Sequence, residues 1–117
     1  MIYPGFITSC SEAIASIQLC QKINPRFIIS PHGGLVNERE RSSYWEKCIV
    51  AVNETKAFIL DLSEQGYDEE PILIKYEKNF RDEQSRLEQP DNAFRLNAQG
   101  MINTVLREKY YNLTLTK

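Results

Sequence analysis

One stretch of the chain joins a residue that does chemistry to residues that shape a turn. It is Ser30-Pro31-His32-Gly33-Gly34, directly after the apolar run Phe27-Ile28-Ile29. His32 is the only histidine among 117 residues. Pro31 restricts the backbone ahead of the imidazole, and the two glycines let the chain turn while leaving room for an ion or ligand. A histidine just past the carboxyl end of a buried strand is well placed to face a cleft in an α/β layer. Three roles fit it: a metal ligand, a catalytic base, or a side chain that bonds a backbone carbonyl and closes the loop. Zinc normally takes three or four protein ligands. No second histidine and no CxxC pair is present to complete such a set.

The other candidates read as structural. Ser30, Ser42 and Ser43 lack the G-x-S-x-G setting of a serine nucleophile. Cys48 with His32 would make a thiol–imidazole pair, yet Cys48 falls on an apolar helical stripe, where it reads as a core thiol. Asp68, Glu69 and Glu70 complement a helix N-terminus. Glu38-Arg39-Glu40-Arg41 reads as a solvated first turn. Gly33-Gly34 lacks the Lys-Ser/Thr of a phosphate loop. Tyr110 and Tyr111 read as packing or surface.

The elements that must position His32 follow from local signals. Residues 1–8, broken by Pro4-Gly5, predict an extended lead-in. Ser9-x-x-Glu12 has capping-box spacing and predicts a helix to about Ile23, with Ala13, Ile14 and Ile17 inward. Asn24-Pro25 stops it. Arg26 to Ser30 predicts a short strand apolar on both faces, which needs neighbours from residues 1–8, the tail, another chain or a larger whole. From Glu38 to Gln65, Trp45, Cys48, Ile49, Val52, Ile59 and Leu62 recur at helical spacing, and Gly66 stands where a C′ glycine belongs. Asp68 opens the next helix, with Ile72, Leu73, Tyr76 and Phe80 on one side. Residues 81–89 predict a frayed helix or a loop. Pro90-Asp91 opens the last helix, with the stripe Phe94, Ala98, Met101, Ile102, Val105 and Leu106. Gly100 inside it costs up to about 1 kcal/mol against alanine, a cost consistent with close packing. The alternating tail Asn112–Thr116 predicts a terminal strand or a disordered end.

The fold class expected is α+β and mostly helical: a helix with one or two short N-terminal strands, then three to four C-terminal helices. Residues 1–36 form a helix–strand part of an α/β layer, and residues 37–117 a helical subdomain, in one structural unit. The totals narrow the function. A net charge of −2 argues against a general nucleic-acid binder, which needs a basic face. No apolar run approaches the roughly 20 residues of a membrane span. The start, MIYPGFITSC, lacks the basic and long apolar regions of a signal peptide. Cys10, Cys20 and Cys48 are odd in number and read as reduced, buried thiols of a cytoplasmic protein.

A helix, a strand ending in S-P-H-G-G, and a long helical tail together resemble the C-terminal part of metallo-β-lactamase-fold hydrolases. The segment YWEKCIVAVNETKAFILDL (44–62), then Gly66 and Glu69-Glu70, then QPDNAFRLNAQGMINTVLRE (89–108), is similar to the helical tail of one bacterial branch. The resemblance covers roughly residues 5–108. It implies that His32 matches the last zinc-ligand histidine. In the complete fold, zinc activates a water for hydrolysis of a small-molecule substrate. The family signature H-x-H-x-D-H is absent, so the resemblance implies a C-terminal segment, inactive by itself and without zinc of its own. Its implied partner is the missing N-terminal half or a second copy. The second expectation, of another class, is a stand-alone helical interaction or dimerisation module with a structural histidine.

Overall fold

The computed structural model describes residues 9–30 and 34–115. The first helix, α1, spans Cys10–Ile23. Ser9 caps it by accepting from the Glu12 N–H at 3.2 Å, half of the expected box. Asn24 ends it in the left-handed region (φ 50°) and donates its N–H to the carbonyls of Cys20 and Gln21. Asparagine tolerates that conformation better than most residues, and Pro25 follows it.

Strands β1 (Ile29–Ser30) and β2 (Gly34–Leu35) pair antiparallel, Ile29 opposite Leu35 and Ser30 opposite Gly34. The Val36 N–H adds a rung to the Ile28 carbonyl at 2.8 Å. Gly34 sits at φ +73°, where a side chain would be strained. The strand therefore finds a neighbour in the residues that follow it. Its expected burial on both faces is corrected: Ile28 is 6% exposed, but Phe27 is 70% and Ile29 76% exposed. Residues 1–8, the expected lead-in, lie outside the described residues.

Helix α2 spans Glu38–Glu64, capped by Asn37, whose side chain accepts from the Arg39 N–H. It ends in a Schellman arrangement. The Gly66 N–H reaches Ser63 O and the Tyr67 N–H reaches Leu62 O, both at 3.1 Å, with Gly66 at φ +95°. Only glycine takes that C′ geometry cheaply. Helix α3 spans Glu69–Phe80; Asp68 is its N-cap but makes no side-chain cap bond. Helix α4 spans Glu83–Glu88, so the stretch expected to fray or loop holds a short helix. Its capping box is reciprocal: the Ser85 N–H donates to Asp82 Oδ1 at 2.8 Å and the Asp82 N–H to Ser85 Oγ at 2.9 Å. Helix α5 spans Asp91–Leu115, and the alternating tail is helical through Leu115. Adding a residue to an existing helix gains one hydrogen bond per residue fixed.

The expected mostly helical α+β class is what the structure has: five helices and one short strand pair among the described residues. Helices α2, α3 and α5 share the core, and α1 packs along α2. Val52, Ile59, Ile72, Phe94, Ala98 and Ile102 are fully buried, as the helical spacing predicts. An aromatic ladder runs through the core, with ring centroids 4.8 Å apart for Tyr76–Phe80 and 6.0 Å for Tyr76–Phe94.

Burial of two groups sets an alkaline limit. Burial pushes the Tyr76 phenol up to about 12, against an opposing hydrogen bond with Thr55. Burial and then the Glu108 charge push the Cys10 thiol up to about 11. The folded chain holds both protons longer than the unfolded chain does, so it loses stability as pH rises. That contribution is complete below pH 9, where an ordinary thiol begins to ionise, and drains away up to about 12. Urea midpoints followed by circular dichroism should fall across that window. Cys10→Ala should remove the part between 9 and 11.

Candidate functional site

His32, the predicted metal ligand, lies outside the described residues with Pro31 and Gly33. The residues bracketing them, Ser30 and Gly34, face each other across the two-strand ladder. The segment before the ladder is tied to α2, because the Arg41 guanidinium donates to the Arg26 carbonyl. Among the described residues, no three His, Cys, Asp or Glu side chains come together to hold a metal. The described residues therefore do not fit a zinc site, and zinc would need ligands from elsewhere.

The hairpin has an inner and an outer face. Ile28 points inward. Phe27, Ile29 and Leu35 share the outer face, since Ile29 and Leu35 are direct partners and Phe27 lies two residues before Ile29. All three are at least 65% exposed. Leu19 and Ile23, one turn apart on α1, are also exposed.

The remaining candidates settle into ordinary roles. Ser43 Oγ donates to the Glu40 carbonyl at 3.2 Å in its own helix. Tyr110 and Tyr111 are exposed. Cys48 is half-buried rather than fully in the core. Burial raises its pKa first, a Tyr44 hydrogen bond opposes this, and the nearby Cys20 thiol raises it further. Its described neighbour of chemical interest is thus Cys20.

The most connected polar group was not anticipated. Arg81 has a side chain 2% exposed and ties α3 to the start of α5. Its Nη1 donates to Glu77 at 3.3 Å and to Asp91, and its Nη2 to the Gln89 carbonyl at 2.9 Å. Its guanidinium lies 4.9 Å from the Phe94 ring centroid. Arg95 Nε donates to the second oxygen of Glu77 at 3.1 Å. The Arg81 hydrogen bond and charge hold the Asp91 carboxyl below the usual carboxylate range. The Ser85 backbone and hydroxyl do the same for Asp82. The one sequence signal for this knot was Asp82-x-x-Ser85, a helix start three residues after an unremarkable helix end.

A cleft of about 480 Å³ lies beside it, lined by Glu70, Leu73, Ile74, Glu77, Lys78, Arg86 and Arg95. Those residues are charged side chains beside an apolar wall of Leu73 and Ile74. No helix among the described residues is long and apolar enough to cross a membrane.

Among the described residues, fold and site define a mostly helical protein with one β-hairpin whose outer apolar face is exposed. No family model, curated protein or solved structure matches the chain.

Proposed function

We propose that this chain is the C-terminal segment of a metallo-β-lactamase-like, metal-dependent hydrolase. It contributes His32 as one metal ligand together with a helical subdomain, and it does not catalyse alone. The observation that supports this reading is the hairpin with two apolar faces, of which the described residues cover only the one bearing Ile28. Strands apolar on both faces belong inside layered α/β folds. An adjoining half carrying H-x-H-x-D-H would supply the missing layer and the missing ligands.

The second reading is a stand-alone interaction module that buries the same face against its own copy. It draws on the filled core of α2, α3 and α5, which needs nothing from the hairpin. One set of measurements separates the two. Under the first reading, co-expression with a segment bearing H-x-H-x-D-H gives zinc-dependent hydrolysis that His32→Ala abolishes. Under the second, no such segment adjoins in the gene, and light scattering finds a dimer that Ile29→Lys returns to monomer. Stoichiometric zinc in the isolated monomer would sink the claim that one histidine is too few.

A further inference from the structure

Two half-buried cysteines, Cys20 on α1 and Cys48 on α2, lie on helices that pack against each other. The inner stripe of α1 is Cys10, Ala13, Ile14, Ile17, Cys20 and Gln21, each buried or half-buried, while the residues between Cys10 and Cys20 outside that stripe are exposed. That stripe lies along α2 in antiparallel register. At one end Cys10 is close enough to Lys56 for the ammonium to act on its thiol. At the other, Gln21 Nε2 donates to Glu46 Oε1 at 3.1 Å. Each step forward on α1 is thus a step back on α2. Cys20, one residue before Gln21, comes level with residues 46 and 47, next to Cys48. Cys48 is half-buried on α2, and it feels the Cys20 thiol electrostatically. Helices packed about 8–10 Å apart bring facing side chains within range of the short Cβ–Cβ span of a disulfide.

We propose that Cys20 and Cys48 form a thiol pair that a small-molecule disulfide converts to an intramolecular disulfide, fastening α1 to α2. The Cys20 thiolate attacks one sulfur of the small disulfide, forming a mixed disulfide and releasing one small thiolate. The Cys48 thiolate then attacks the Cys20 sulfur, closes the protein disulfide and releases the second small thiolate. The two protons lost by the protein thiols end on the two small thiols. One disulfide is reduced and one dithiol is oxidised, so atoms and electrons balance. Tyr44, bonded to the Cys48 sulfur one helical turn away, steadies the attacking thiolate. Burial keeps Cys48 protonated at neutral pH, so the closing step speeds up toward pH 9. Cys10 has a full cover of core side chains and stays reduced.

The test treats the reduced chain with oxidised glutathione, then blocks free thiols and maps peptides by mass spectrometry. The expected product is monomeric, carries a Cys20–Cys48 bond two hydrogens lighter than the dithiol, and has Cys10 free. Closing that loop should raise the Tm by roughly 5–10 °C, reversed by dithiothreitol. Cys48→Ser should stop at a glutathione adduct on Cys20, and both Cys20→Ser and Cys48→Ser should lose the Tm rise while folding normally by circular dichroism. A bond to Cys10, a covalent dimer, or glutathione on both Cys20 and Cys48 without an internal bond would overturn the proposal.

Discussion

Phe94→Ala is expected to lower the unfolding free energy by about 3–5 kcal/mol, the usual cost of emptying a fully buried aromatic site. Phe94 is 0% exposed. Its ring stacks on Tyr76 on one side and lies under the Arg81 guanidinium. Truncation opens a cavity where α3, the start of α5 and the turn at α4 converge. Those walls are tied by hydrogen bonds and cannot collapse freely. A domain of this size has about 5–15 kcal/mol to lose, so the variant should unfold at much lower urea. Phe94→Leu keeps most of the volume and should cost clearly less. Equal losses for the two variants would contradict the cavity argument.

Arg81→Ala should cost about 2–4 kcal/mol, and its reason is different. Asp91 can take up water when the guanidinium goes, because it is 71% exposed, and Glu77 keeps its bond from Arg95. The Gln89 carbonyl cannot do so easily, since Gln89 is 8% exposed. A buried acceptor left without a partner costs about 1–3 kcal/mol, and the lost charged hydrogen bonds and the contact with Phe94 add to it. The network is not perfect: Arg81 Nε is buried without a partner among the described residues, which already offsets part of the gain. Asp91→Asn should cost clearly less than Arg81→Ala, as expected for an exposed member of an ion pair. Arg81→Lys should recover only part of the loss, because an ammonium cannot span Glu77, Asp91 and Gln89 as a planar fork does. Urea melts of the three variants check the order. The double variant Arg81→Ala/Phe94→Ala should cost less than the sum of the two, since the side chains touch.

Much of the helical architecture was legible in the sequence because its signals are local. Ser9, Asn24, Gly66 and Asp68 stand at helix ends where side-chain caps, a left-handed backbone or charge favour them. The stripe from Phe94 to Val105 is buried as its spacing predicts. The polar run 81–89 left helix and loop both open for a physical reason. Its hydrophobic periodicity is weak, and its helix rests on a capping box and on Arg81 reaching two other segments. The tail misled because alternation of Leu113 and Leu115 has meaning only with a partner strand, and an existing helix offered hydrogen bonds without one.

The candidate site was less legible. The S-P-H-G-G turn singled out His32, which lies outside the described residues, and its flanking strand drew attention as a buried one. Whether a strand face is buried depends on what lies across from it, and no local pattern contains that. The thiol pair is a second case. Cys20 and Cys48 are 28 positions apart, and no spacing rule links them. Only the antiparallel register of α1 on α2 brings them near each other.

By itself, the sequence determined where most helices start and stop, which face of each is apolar, and that a lone histidine beside proline and glycine follows a short apolar run. Those properties depend on neighbours within a few residues, through caps, glycine backbone freedom and helical spacing. The tertiary structure alone decided that Arg81 is buried, that Cys20 lies near enough to Cys48 to act on its thiol, and that Phe27, Ile29 and Leu35 are exposed. Each of those depends on the distance between groups far apart in the chain, and that distance is set by how the helices pack.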